Sequence, residues 1–262
     1  MNIIFILLII LLALMTVIGG IRGIQSFFTL ILNFIIFFIM LILIGAKIDP
    51  IKVTFIGAII ISYVTLFFIN GYNKKIFASL LSVTSVILLV MFITYEMGTD
   101  AKIQGFSNEQ VETVAYLSLY VQVNFSKIVI CQILIGLLGA IIDVSISISS
   151  SMNEIYKNNP LITQQRLFKS GMNIGKDILG TMTNTLLFAY ISGFMTLIIY
   201  FSELEYSLAT IVNAKVFCSE VFQVICCGIG IILIIPITAF IASKLMFLTR
   251  KSNKIGALKK EK

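Results

Sequence analysis

Apolar residues run along this chain in blocks long enough to cross a bilayer, rather than at the short alternating periods of a soluble domain. A hydrocarbon core about 30 Å thick takes roughly 20 residues at a helical rise of about 1.5 Å each. Seven stretches meet that measure: 3–19, 24–44, 53–68, 76–95, 128–150, 178–200 and 221–247, the third being short for a span. The pattern predicts an all-α, polytopic transmembrane bundle of about seven helices over residues 1–248. A basic tail, 249–262, follows it. The first block lacks the leading positive charge of a signal peptide, since the first charged residue is Arg22, behind the apolar run. It reads as a retained first helix.

Composition agrees with this reading and narrows the chemistry. Of 262 residues, 59% are hydrophobic and 12% charged, against about 25% charged in soluble domains, so the chain cannot clothe a water-exposed surface. It contains no His and no Trp, which removes histidine general-base chemistry and histidine metal sites. Four cysteines, Cys131, Cys218, Cys226 and Cys227, show no CxxC or metal-ligand spacing and read as small packing residues. No catalytic residue, metal or cofactor is expected, and an enzyme acting on lipid is the least favoured class. With no extramembrane stretch beyond about 30 residues, function must lie among the helices or with a partner.

The formal net charge of +7 reads as topology and not as affinity for nucleic acid. If the cation-rich tail is cytoplasmic, seven spans put Arg22, Lys74, Lys75, Lys157, Arg166, Lys169, Lys176 and Lys244 on the same side as its six cations. Only Lys47, Lys52, Lys102, Lys127 and Lys215 fall on the other. The expected topology is N-terminus outside and C-terminus in the cytoplasm of a cell membrane. The outer segments are correspondingly acidic, with Glu96, Asp100, Glu109 and Glu112 in one and Glu203, Glu205 and Glu220 in another.

Two spans carry polar residues. Asp143 is the only acidic residue well inside a span, and ionised it costs about 2.5–3.5 kcal/mol at the bilayer centre. At 100° per residue it shares a stripe with Gly136, Gly139, Ala140, Ser147, Ser150 and Glu154, whose small members let another helix approach. Ser145 and Ser149 point elsewhere and are expected to be silent. The alternation of Asp143 with serines would also suit a strand, but a strand here leaves its backbone unpaired in lipid. The following span enters through Ser170, Asn173, Lys176 and Asp177 and continues with Gly180, Thr181, Thr183 and Asn184. If Glu154 and Asn173 lie at similar depth, Asp143 and Asn184 meet near mid-membrane.

Asp143 is thus either a proton or cation relay or a hydrogen-bonded lock between two helices. Ser147, Lys176, Asp177, Thr181 and Asn184 are its candidate polar surroundings, and Gly136, Gly139 and Gly180 candidate packing points. Lys176 and Asp177 also suit interfacial anchors. Pro236, mid-span in the last block, is expected to kink its helix.

The runs Gly139–Ser150, Asn159-Pro160 and Ser170–Thr185, with Gly19-Gly20-Ile21-Arg22-Gly23 near the start, resemble the YibE/F family of multipass membrane proteins across nearly the whole chain. Single-chain members carry a helix and an extracytoplasmic domain ahead of this region. The resemblance therefore implies a split arrangement, with a separate YibE-type membrane subunit as partner and a homo- or hetero-oligomer in the bilayer. Gly139 to Asp143, with Thr181 to Thr185 on the following span, is also similar to the GxxxD element and the polar Thr/Asn-rich helix after it in SecDF and the resistance-nodulation-division transporters, which implies a SecDF-like core and a proton-carrying role for Asp143. Three functions follow as expectations: a proton- or cation-coupled transporter subunit, an accessory to membrane-protein insertion or export, and a structural anchor for a partner. The substrate is not legible, and the Ile- and Lys-rich composition suggests a bacterial source.

Overall fold

The computed structural model describes residues 3–100, 125–159 and 161–260. Lys102, Glu109, Glu112, Pro160 and Lys262 lie outside the described residues, as do the side chains of Asp100 and of the tail from residue 249. The elements are α1 (Ile3–Gly45), α2 (Pro50–Asn70), α3 (Lys74–Asp100), α4 (Phe125–Asn158), α5 (Gln164–Glu203), the short α6 (Leu208–Asn213) and α7 (Lys215–Lys260). Six of them are long and apolar enough to cross a membrane. The fold is all-helical, and the protein is a multi-pass membrane protein.

The two expected N-terminal spans appear as a single element. At 43 residues, α1 would be about 64 Å long if straight, twice the hydrocarbon thickness. It is broken at Gly20, whose φ of 56° and ψ of −135° suit only a residue without a side chain. Beyond the break, Gly23 lies so close to the carbonyl of Met15 that a Cβ would overlap it. Eight residues of straight helix would separate the two by about 12 Å, so the chain folds back on itself. The Gly-Gly-Ile-Arg-Gly motif is therefore a corner between two apolar arms. Most of the first arm is exposed on the outside of the bundle.

Local signals set the other boundaries. Asp49 caps α2 by accepting the Ile51 amide at 3.1 Å, Pro50 occupies the first turn, where its missing N–H costs nothing, and Gly71 ends the helix at φ 70°. At 21 residues α2 is a full-length span, longer than the block 53–68 suggested, because polar ends join the helix. Thr163 caps α5 by accepting the Arg166 amide. The polar entry Ser170–Asp177 is already helical.

Residue pairs give the helix directions. Asn33 meets Thr65 and Met40 meets Gly57, so the second arm of α1 runs antiparallel to α2. Leu137 meets Gly230, Ser145 meets Thr238 and Tyr156 meets Phe247, so α4 and α7 are parallel. Gly171 lies on Met152 and Ala239, and Gly175 on Ile235, so α5 runs antiparallel to both. Buried glycines at these crossings admit whole side chains of the neighbouring helix. The core gathers Ile133, Leu134, Leu137, Ile141 and Ile148 of α4 with Ile231 and Ile234 of α7 and Val83, Val86 and Ile87 of α3. Pro236 is accommodated inside α7.

A buried hydroxyl cluster ties three helices together. Ser79 Oγ of α3 lies 2.6 Å from Ser149 Oγ, while Ser145 Oγ donates to the Ser79 carbonyl at 3.3 Å and accepts from Thr238 Oγ1 at 3.2 Å. Ser145 and Ser149 do point away from Asp143, but as structural fasteners. Interhelical hydrogen bonds in membranes are worth about 0.6–1.7 kcal/mol. Ser145→Ala is expected to lower thermal stability in detergent by about 1 kcal/mol and leave any flux intact. Parent-like stability would show that the cluster fastens nothing.

At the opposite end of the bundle, Lys127 at the start of α4 donates to Asp49 at 2.6 Å. This bond, with the Ile51 amide opposing a small desolvation, holds the Asp49 carboxyl below its ordinary range. A depressed carboxyl contributes stability that is present above its ordinary value and lost as pH falls through the lowered one. Both side chains are partly exposed, so the contribution is at most about 1 kcal/mol. Lys127→Met is expected to remove this part of the acid sensitivity of the melting temperature. An unchanged difference between neutral pH and about pH 3 would assign that sensitivity to other groups.

Candidate functional site

The stripe of α4 that carries Asp143 faces outward. Gly136, Gly139, Asp143 and Ser147 are all exposed, while Ile141, Ile142, Val144 and Ser145 are buried. The stripe is the floor of a groove of about 790 Å³. Phe37, Leu41 and Ile44 of the second arm of α1 form one wall, and Met182, Thr185, Leu186, Ala189 and Tyr190 of α5 form the other. The lining is overwhelmingly apolar. Asp143 is its only carboxylate, and among the described residues it has neither a hydrogen bond nor an ion-pair partner.

The far end of the groove is polar in a different way. Tyr190 Oη lies 3.1 Å from Cys227 Sγ and accepts from Gln223 Nε2 at 3.2 Å, with Gln132 nearby on the lining. The phenol fills the space that Gly136 leaves open, where a Cβ would meet Tyr190 Oη at 2.5 Å. Gly136 precedes Asp143 by seven residues, about 10 Å along the helix. A single acid and a phenol–amide–thiol cluster thus share one apolar trough.

Other residues chosen from the sequence stand elsewhere. Ser147 is on the Asp143 face but beyond the groove lining. Lys176, Asp177, Thr181 and Asn184 are exposed and do not line the groove, and the Thr181 hydroxyl is spent on the Ile178 carbonyl at 2.9 Å. Met182 and Thr185 share the groove lining with Asp143, and Asn184 does not. A Cβ at Gly139 or Gly180 would meet nothing within 4 Å, so neither makes a close helix crossing, although Gly139 lines the groove. The reason is rotational. Docking of Gly171 and Gly175 onto Met152, Ala239 and Ile235 turns the stripe Leu167, Gly171, Gly175, Met182, Leu186 and Tyr190 inward. The polar stripe, about 100° away per residue of offset, is turned out.

Sequence reasoning missed Tyr190, Gln223 and Cys227. Gln223 carried a usable signal, being an amide inside an apolar run, and Tyr190 falls eight residues after Met182 on the inward stripe.

The model of the YibE/F-like protein family matches residues 7–248, from the first arm of α1 to the end of the apolar part of α7. The chain belongs to the YibE/F-like family. The match covers every helix that builds the groove of this YibE/F-like protein. No curated protein and no solved structure matches the chain, so the comparisons give no support to the likeness to SecDF. Among the described residues, no three His, Cys, Asp or Glu side chains gather as a metal site.

Proposed function

We propose that this YibE/F-like protein is a transporter-like membrane subunit in which Asp143 takes up and releases a proton or cation within the groove. One observation carries the reading: the carboxyl stands open on an apolar floor and bonds to no described neighbour. A lock between helices would show it engaged. Without a partner, an ionised Asp143 pays the cost of a mid-membrane charge, about 2.5–3.5 kcal/mol, so proton or cation binding there is favoured. No catalytic step is assigned to the chain.

The groove opens sideways, toward lipid or another subunit. We assign the covering role to a separate YibE-type membrane subunit whose helix seats between α1 and α5. In this reading the N-terminus is outside and the tail in the cytoplasm of a bacterial cell membrane, which the cation distribution supports as far as orientation goes, and the two arms of α1 are separate crossings. The test is proton or cation uptake into proteoliposomes loaded with the chain and whatever membrane subunit remains bound after mild extraction. Uptake above that of empty liposomes supports the reading, and uptake equal to theirs sinks it.

A further inference from the structure

A second cavity, of about 390 Å³, lies at the other end of α5, lined by Asn159, Leu161 and Ile162 of the α4–α5 connection and by Arg166, Lys169, Ser170 and Asn173. The last four are spaced i, i+3, i+4 and i+7, one face of a helix. Neither Arg166 nor Lys169 forms an ion pair among the described residues, and no acidic side chain lines the cavity. Of the two acids nearest in sequence, Glu154 is bonded to Lys157 at 3.3 Å, and Asp177, a turn beyond Asn173, does not line the cavity. Two cations and a side-chain amide therefore converge without an anion, beside the positive end of the α5 dipole, while the Ser170 hydroxyl donates to the Arg166 carbonyl at 3.0 Å.

Depth gives the pocket its ligand class. Gly171 lies against Met152 and Ala239, and Arg166 is one and a half turns, about 8 Å, nearer the end of the bundle. It is thus level with Lys157, where the apolar run of α4 has ended. That is the height of lipid headgroups, and basic pockets at this level bind phosphorylated ones. Arg offers a planar fork to phosphate oxygens and Lys a point charge, while Leu161 and Ile162 supply an apolar rim.

We infer that this pocket binds a phosphoryl group, taken from an anionic phospholipid headgroup or from free phosphate, independently of the Asp143 groove. The purified full-length chain would be titrated with phosphatidylglycerol, phosphatidylcholine and inorganic phosphate, following bound ligand by native mass spectrometry and the melting temperature. Compared with the parent would be the double variant Arg166→Gln/Lys169→Gln and the control Lys74→Gln/Lys75→Gln, which removes the same charge outside the pocket. The expected result is at least a fivefold loss of bound phosphatidylglycerol in the pocket variant alone, with phosphatidylcholine weak throughout. The same pattern with inorganic phosphate identifies the free anion as the source, and its restriction to phosphatidylglycerol identifies the lipid. An equal loss in the Lys74/Lys75 control, or parent-like binding by the pocket variant, overturns the assignment.

Discussion

Asp143→Asn is expected to reduce proton or cation uptake into proteoliposomes by about a hundredfold or more, with expression and melting temperature close to those of the parent. The amide is nearly the shape of the acid, but it neither carries a proton between sites nor pairs with a cation. Because the carboxyl bonds to no described neighbour, its loss breaks no helix contact. The expected split is therefore a large functional effect at a stability change within about 0.5 kcal/mol. Asp143→Glu, which keeps the acid in a groove with room for one more methylene, is expected to retain part of the uptake. If the Asn variant transports normally, Asp143 is a bystander. If instead it melts well below the parent, the carboxyl is a structural fastener.

Gly23→Ala is expected to be the most disruptive single-methyl change in the chain. A Cβ there would lie on the Met15 carbonyl, and a backbone atom cannot swing aside as a side-chain tip can. At most of the other tight glycines the obstacle is a side chain: Met40 at Gly57, Ile235 at Gly175, Leu137 at Gly230. Overpacking typically costs about 1–3 kcal/mol, and the upper end is expected at Gly23, since relief requires opening the corner. Pairs of cysteines on the two arms report the result: crosslinking between positions near Met15 and Gly23 should fall sharply in Gly23→Ala. Gly19→Ala, where a Cβ meets nothing within 4 Å, is the matched control. Equal crosslinking in all three would mean that the arms are held together by something other than this contact.

Much of the fold was legible because it follows from hydrophobic length alone. Seven apolar blocks became six helices, the first with two arms that part at Gly20, inside the gap between the blocks 3–19 and 24–44; what apolar length did not give was the sharpness of that corner. Its signal was the Gly-Gly-Ile-Arg-Gly motif, in which glycine makes a corner that no hydropathy measure registers. The Asp143 stripe of α4 was found by helical period, since one face alone carries the small and acidic residues. The partner stripe on α5 was not, because polarity was taken as the guide to which face looks inward. In a bilayer the inward face is chosen by steric fit, and Gly171 and Gly175 decided it against Thr181 and Asn184. For the same reason Tyr190, an aromatic filling the space over Gly136, belongs to the groove although nothing in its local sequence marks it as polar machinery.

The most direct measurement of the central claim needs no knowledge of the substrate. A lipid-soluble carbodiimide added to native membranes modifies protonated carboxyls that open to the bilayer, and peptide mass spectrometry locates them. Asp143 should be labelled, with the yield falling as pH rises and with protection by the membrane subunit that covers the groove. No modification of Asp143 at any pH, with labelling confined to acids at the helix ends, would contradict the account.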